Sequence, residues 1–544
     1  MAQQDAAQGQ DDKMAKPKNQ NPSAAPAASA TAAVSGNGAS QKVFDAIERI
    51  PGWLRTTLCF IIVLAIGWCM YFVNHAEPKY AFWDENYHLT SAQRYIEGFA
   101  HLEPHPPLGL LLIAAGEKLS GANQGIDMSA LTPTKYIDGD KLPQGFSFSG
   151  MRLAPSLFGA LGALMFFGLM LELTENRLVA LLFSTLYLFE NAFIVHFRAV
   201  HLDSFQMFFS LGALWVFIRM WKHEGPIPVH LYASAAALCG LAIMVKINAA
   251  LLLALFPVLY FKDFGTRLRG FDVLHQLRHF ALKAGIVTLT IATITLVVFA
   301  LHALIGKQPA SEGTSAQTDQ QFMSQTYKDY VTRGQHLTPS TLLAITNDYF
   351  RFMDHDHKGV PKLDVCKPGE NGSSPLNWPL HNKTINYRWD SADGFTRYVQ
   401  LAGNQVSWYL GLAAVLLSIL TIANRRLFGV EAGAGRSYAL IEVFTGLYLV
   451  FMLLHLYLGA QRVMYLYHYF LGLLISYILI VLNWQNLCEL NQIKARTRLL
   501  IVAVMSVLII ASSLFFLPLN NHKPLNKEQC ESRNVFSHIV DCQG

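Results

Sequence analysis

Charge is scarce in this chain: 15% of its 544 residues are Asp, Glu, Lys or Arg, against 52% that are hydrophobic. A soluble chain of this length carries about a quarter charged residues. The shortfall lies in apolar runs long enough to cross a bilayer, which takes roughly 20 residues each. An ordinary soluble globule is therefore excluded, and the class is an all-α polytopic membrane protein. Apolar runs are in turn missing from the N-terminus. Residues 1–41 are dominated by Ala, Gln, Ser, Pro and Asn without periodicity and read as a disordered cytoplasmic tail. The first apolar run starts near Leu54, too late for a signal peptide. A net charge of +5 gives no sign of a nucleic-acid partner. No P-loop glycine motif and no Ser-His-Asp elbow is present, which argues against ATP hydrolysis and triad chemistry. No internal repeat points to duplicated transporter halves. Of 7 cysteines, Cys59, Cys69, Cys239 and Cys488 lie in or beside apolar runs and read as packing residues. Cys366, Cys530 and Cys542 lie outside them; a Cys530–Cys542 bridge, a bridge involving Cys366, and free thiols all stay open.

What is present is a series of candidate spans. They are Leu54–Val73, Leu153–Leu171, Leu178–Val195, Phe205–Met220, Leu231–Val245 and Ala249–Phe261, followed by Ala284–Leu304, Trp408–Ala423, Ala439–Leu458, Tyr465–Trp484 and Leu499–Leu517. That is about eleven transmembrane helices. With the N-terminus in the cytoplasm, the inside loops collect Arg49, Arg55, Arg219, Lys222, Lys262, Arg267, Arg269, Arg278 and Lys283. They also hold Arg425, Arg426, Arg436, Lys494, Arg496 and Arg498, whereas the opposite short loops hold Arg198, Lys246 and Arg462. The expected organisation is an N-terminal membrane module 54–304 with an external loop 74–150, a second external loop 305–406, a C-terminal membrane module 407–518, and an external tail 519–544. Loop 305–406 shows short helical patches but no core of its own.

This topology puts the unusual polar residues of the span ends on one side: Asp84, Glu85, His88, His105, Arg152, Arg198, His201, Asp203, Lys246, Arg462 and His468. Ionisable groups at such positions mark a functional site by default. If the Asp84-Glu85 segment is helical, the two carboxylates point about 100° apart, so both cannot serve one proton. His88 follows Asp84 at i+4, on the same face. A solvated interfacial helix with an acidic first turn is the alternative reading of this segment. His105-Pro106-Pro107 suits a helix start, since proline fits the first turn. Arg152, Arg198, Lys246 and Arg462 suit an anion such as a phosphate, although pairing with Asp84, Glu85 and Asp203 would neutralise some of them. Asp354-His355-Asp356-His357 resembles a ligand cluster if extended, because residues two apart then share a face; no metal site is expected from it without further ligands.

The order of the motifs resembles the protein O-mannosyltransferase family. The likeness is carried by Asp84-Glu85, His105-Pro106-Pro107-Leu108-Gly109, Met151-Arg152-Leu153 with Gly159, and Arg198 to Leu202-Asp203-Ser204. It continues through Gly240-Leu241-Ala242 with Lys246, Trp378-Pro379-Leu380, Gly403-Asn404 with Trp408, and Arg462-Val463-Met464-Tyr465-Leu466-Tyr467-His468-Tyr469. The resemblance implies a GT-C glycosyltransferase fold with about eleven transmembrane helices and two large external loops. It implies a polyprenyl- or dolichyl-phosphate mannose donor, and Ser or Thr hydroxyls of translocating secreted or membrane proteins as acceptors, with the translocon as a possible neighbour. Loop 305–406 is too short for the MIR domain of eukaryotic members, which makes the chain resemble bacterial ones. Gln405 follows Gly403-Asn404 where the family often has proline. The implied location is a bacterial plasma (inner) membrane with the active site outside the cytoplasm, the endoplasmic reticulum being the alternative; the sequons Asn371-Gly372-Ser373 and Asn382-Lys383-Thr384 matter only there. Oligomeric state is not encoded legibly.

The implied chemistry gives Asp84 the role of base, with Glu85 supporting substrate or helix geometry. Arg152, Arg198, Lys246 and Arg462 would bind the donor phosphate as charge develops on it. His88, His105, Asp203, Trp378, Tyr467 and His468 would bind substrate or shape the site. Direct displacement would invert the anomeric centre. A lipid phosphate-sugar carries its own leaving group, so no cofactor is expected. The rival readings are a related GT-C transferase acting on a lipid or glycan, of the aminoarabinose–lipid A type, and a lipid or sugar transporter.

Overall fold

The computed structural model describes residues 51–265, 273–309, 313–429, 436–535 and 539–542. The expected tail 1–41 lies outside the described residues, as do Arg49, Arg267 and Arg269. The chain divides into Met1–Arg55, of which only the opening of one helix is described, and Thr56–Gly544, which holds the remaining architecture.

Eight helices among the described residues are long and apolar enough to cross a bilayer. They are Gly52–Phe72, Phe148–Thr174, Ile247–Phe264, Leu274–Ile305, Gln405–Phe428, Ser437–Gly459, Leu466–Leu490 and Ala495–Asn520. The other three expected spans are also helical but differ in kind. Arg177–Leu188 and Asn191–Phe197 make one broken span bent by 61°. Asp203–Lys222 has 20 residues but carries Asp203, Gln206 and Arg219. Val229–Ile243 has 15 residues, too few for a full crossing at about 1.5 Å per residue. Length and apolarity thus give eight spans, or nine with the broken one, where the sequence suggested about eleven.

Leu466–Leu490 is the central helix, almost wholly buried. Leu153–Thr174 packs against Asp203–Lys222 at close range because Gly168 leaves room for the Trp215 ring, and Gly162 leaves room for Tyr187. The break before Asn191 has a definite cause. Glu190 is extended and caps the next helix through Ala192 N–H at 3.2 Å. Its carboxylate also accepts from Asn404 N–H (2.8 Å), Ser407 Oγ (2.6 Å) and Tyr477 Oη (2.5 Å). The Gly403-Asn404 motif is therefore a joint that ties the broken span to Gln405–Phe428.

Loops 74–150 and 305–406 together build a layer outside the apolar helices. Loop 74–150 contributes helices Glu85–Glu97 and Leu108–Ser120. Loop 305–406 contributes helices Gln325–Thr332 and Pro339–Gly359, then strands Ile385–Ala392 and Phe395–Leu401. The strands pair antiparallel, and Pro524–Leu525 of the tail adds a short third strand. This loop buries Tyr327, Tyr330, Tyr349 and Phe352 in one cluster with Phe299 of Val273–Ile305 instead of forming a core alone. An ion pair locks the two loops, Lys135 to Asp319 at 2.6 Å, and Arg94 pairs with Glu103 at 3.3 Å within the first loop. Cys530 and Cys542 form a disulfide in the tail, while Cys366 is a free, exposed thiol.

Candidate active site

The turn that presents Asp84 is held in an unfavourable backbone conformation. Trp83 has φ +56°, a left-handed value that costs a bulky residue roughly 1–3 kcal/mol. Its ring is compensated by packing against Tyr387 and Tyr465, with centroids 5.2 Å away in each case. Helix Glu85–Glu97 starts immediately afterwards, and Asp84 at its N-cap makes no side-chain cap. The partly buried Asp84 carboxyl instead faces Tyr467, whose hydroxyl points at Oδ2 from 3.4 Å. Burial pushes the carboxyl up to about 6; Asp203 adds to the rise, and Lys246 and the Tyr467 hydroxyl oppose it.

Glu85 has a different environment. It and Arg152 are fully buried and form a two-toothed pair, Nε to Oε1 and Nη2 to Oε2, both at 2.7 Å. Glu85 also accepts from Val200 N–H at 2.8 Å and Phe82 N–H at 3.1 Å. Arg152 donates further to the carbonyls of Ala76 (3.1 Å), Pro78 (2.7 Å) and Tyr80 (2.9 Å). Every donor position of this guanidinium is committed to protein. The structure thus separates Asp84 from Glu85, and Arg152 from an anion site.

The other three cations differ in the same respect. Arg198 donates to Val73 O, Asn74 O and Asn521 Oδ1, at 3.0, 2.6 and 2.9 Å. It lines a separate cavity of about 400 Å³ with Asn74, Asn521 and Lys523, one face of which is Phe82. Lys246 grips both oxygens of Asp203 at 2.9 and 2.8 Å. His196 Nε2 lies 2.7 Å from Asp203 Oδ2, and its Nδ1 lies 2.7 Å from the Tyr387 hydroxyl. With hydrogen on Nε2, the ring donates to the carboxylate and accepts from Tyr387. Arg462 is left: the only hydrogen-bond contact of its guanidinium among the described residues is the soft Met464 sulfur at 3.5 Å. Tyr465 is within electrostatic reach of both Arg462 and Asp84.

The remaining expected site residues fall into two sets. His88 Nδ1 lies 2.6 Å from Val200 O, and burial holds the ring down at about 4, hence neutral. His105 faces His357 with ring centroids 6.2 Å apart, and its carbonyl accepts from Tyr349 Oη at 2.8 Å. Tyr467 and His468 stack at 4.6 Å, and His468 Nδ1 pairs with the backbone of Tyr465. Trp378 does not reach Asp84; it is a fully buried brace whose carbonyl accepts from Trp408 Nε1 at 2.6 Å. The run Asp354-His355-Asp356-His357 is helical rather than extended, so its alternate residues diverge by about 200° instead of sharing a face. No group of three or more potential metal ligands occurs among the described residues. His196, Tyr387 and Tyr465 join the site without having been singled out by sequence. A histidine inside the apolar stretch Phe193–Phe197 was a usable signal for the first; Tyr465 lay within the Arg462–Tyr469 motif without a role assigned to it, and Tyr387 carried no signal.

Membrane helices under two interlocked loops, one of which carries Asp84, make an integral membrane protein of the GT-C fold. Residues 61–305 match the family model for dolichyl-phosphate-mannose-protein mannosyltransferase, and residues 353–539 match that for the C-terminal four-span region of protein O-mannosyltransferases. The chain belongs to the protein O-mannosyltransferase family. Protein O-mannosyl-transferase 2 of Drosophila pseudoobscura pseudoobscura is 27% identical over 170 residues, covering 31% of this chain and 21% of the relative. Dolichyl-phosphate-mannose–protein mannosyltransferase 6 of Saccharomyces cerevisiae is 26% identical over 168 residues, again 31% and 21%. The matched segment is thus about a fifth of each relative's length. The Pmt1-Pmt2 complex of S. cerevisiae, solved with its sugar donor, is similar in fold, with a TM-score of 0.73 at 14% identity over 88% of this chain and 92% of that one.

Proposed function

We propose that the protein transfers mannose from a polyprenyl-phosphate (dolichyl-phosphate type) donor to Ser or Thr hydroxyls of translocating proteins at the external membrane face. The observation that carries this reading is the Asp84 carboxyl, whose one side-chain partner among the described residues is the Tyr467 hydroxyl, while the adjacent Glu85 and Asp203 are consumed by Arg152 and Lys246 and the Arg462 guanidinium pairs with no carboxylate. Asp84 takes the proton of the acceptor hydroxyl as its oxygen attacks the anomeric carbon. The bond from that carbon to phosphate breaks on the opposite side, so the centre inverts. Arg462 holds the departing phosphate, with Lys246 adding positive potential from its seat on Asp203. Glu85 and Arg152 are positioning residues that fix the Asp84 turn. The phosphate-sugar supplies its own leaving group, so the reaction requires no cofactor. The MIR-less external loop favours a bacterial plasma membrane as the location.

The deciding experiment offers purified protein radiolabelled polyprenyl-phosphate mannose with a Ser/Thr peptide, and in parallel a lipid A acceptor. Peptide labelling through an α-linkage from a β-linked donor supports the reading; labelling of lipid A alone overturns it. Two further outcomes follow from the geometry. Arg462→Ala is expected to lower kcat/KM for the donor roughly 10- to 100-fold, the range of a charge-assisted hydrogen bond, with peptide KM unchanged. Initial rates with the lipid donor titrated check this. A base must be deprotonated to act, so kcat/KM should fall as pH drops through about 6 and plateau above it. His88, already neutral above about 4, adds no limb in that window. A pH–rate profile flat from 5 to 8, on the order-of-magnitude scale of pH titration, removes Asp84 from the base role.

A further inference from the structure

We infer that Asp356 and His357, at the inner edge of the last turns of helix Pro339–Gly359, hydrogen-bond the hydroxyls of the transferred sugar and so set which hexose the site accepts. This rests on the mannosyl-transfer reading and names the part of the site that recognises the sugar.

The helix is aimed at the site by fixed contacts. Thr338 caps its start, Tyr349 donates to His105 O at 2.8 Å, and Lys135 sits 4.1 Å over the Phe352 ring. Its exit is stitched to the other side of the site, where Val463 N–H donates to Pro361 O at 2.7 Å and Ser373 N–H donates to Met464 O at 2.8 Å. Between these anchors the last turns divide by face. Asp354 pairs with Lys358 at 2.7 Å and is exposed, as is His355, which packs on Phe322. Asp356 and His357 are half-buried on the inner side. Among the described residues Asp356 has no hydrogen-bond or ion partner, although it lies within electrostatic reach of both Arg462 and Tyr87. His357 faces His105 across 6.2 Å between ring centroids.

A sugar whose phosphate rests on Arg462 and whose anomeric carbon lies near Asp84 must occupy the space these two residues border. Trp83, Tyr465 and Tyr467 pack on one another beside Asp84, and a sugar ring has an apolar face to set against the half-buried Trp83 and Tyr465. Its hydroxyls then need partners. A carboxylate accepts from neighbouring hydroxyls, and an imidazole donates or accepts. A site built to hydrogen-bond a hydroxyl strongly rejects the analogue that lacks it, because its own groups are left unpaired. An unpaired, half-buried Asp356 beside a histidine has that character.

The test measures kcat/KM of the full-length protein for polyprenyl-phosphate mannose and for mono-deoxy donors lacking one sugar hydroxyl each, with Asp356→Asn and His357→Gln. Both substitutions are near-isosteric at half-exposed positions. The inference expects roughly a 10-fold or greater loss with the parent donor, a loss that disappears against one particular deoxy donor. An equal loss against every deoxy donor, no loss at all, or a change confined to peptide KM overturns it. Failure of the unsubstituted protein to use the parent donor overturns the mannosyl-transfer reading instead, so the two failures are told apart.

Discussion

Asp84→Asn is expected to lower kcat by roughly 10²- to 10⁴-fold, the usual contribution of a positioned general base, without lowering the stability of the fold. The second half of this expectation separates chemistry from structure. Asp84 occupies the N-cap of helix Glu85–Glu97 yet its side chain caps nothing, and the one hydrogen bond of its carboxyl among the described residues is the 3.4 Å approach of Tyr467. Burial already disfavours its charge, raising the carboxyl to about 6, so a neutral amide of the same shape relieves desolvation at neutral pH. The thermal midpoint of the purified variant should match or slightly exceed that of the parent protein. Substrate KM values should change little, since the lost group acts on the proton in the transition state. Normal turnover by folded Asp84→Asn would sink the assignment. The low-pH limb of the rate profile should vanish with the residue.

How much of this was visible beforehand depends on the kind of information each feature needs. A charge in a span end is conspicuous against an apolar background, so Asp84, Lys246 and Arg462 could be picked from the sequence. Which charges neutralise one another is a through-space property. Glu85 finds Arg152 across 67 residues, and Asp203 finds Lys246 across 43, so the sequence could not tell the spent cations from the available one. Arg198 was opaque for another reason, because two of its partners are backbone carbonyls that every residue has. The span count was blurred because the apolar runs Phe205–Met220 and Leu231–Val245 read as crossings, whereas the helices there carry Asp203, Gln206 and Arg219 or have 15 residues, and because hydropathy passes through the break at Glu190 without marking it. The β-hairpin does leave a mark in the sequence. Asp393-Gly394 lies between two strand-like runs, and both residues have positive φ, 54° and 74°, as an Asp-Gly hairpin turn requires. The strained backbone of Trp83 leaves no mark in composition or spacing, since only the finished packing holds it.

Glu85→Gln is expected to have the second large effect, and to produce it by the opposite route from Asp84→Asn. The substitution keeps shape but leaves the Arg152 guanidinium buried, at 0% exposure, without a counter-charge. Removing one partner of such a pair costs about 3–5 kcal/mol, enough to take up a large share of a typical fold's net stability. The damage should spread along the chain in a set order. Arg152 holds the carbonyls of Ala76, Pro78 and Tyr80, and Glu85 holds the N–H groups of Phe82 and Val200, so the pair staples the turn that carries Trp83 and Asp84. Loosening it frees the strained Trp83 and moves Asp84 off the line to its substrate, so activity and thermal midpoint should fall together. Arg152→Lys should do the same, because an ammonium with three donors cannot reproduce a planar fork serving five acceptor contacts. The discriminating result is the combination of the two readouts. Glu85→Gln that unfolds at the parent temperature yet has lost turnover would make Glu85 a participant in the chemistry, and the separation of the acid pair into one base and one staple would have to be abandoned.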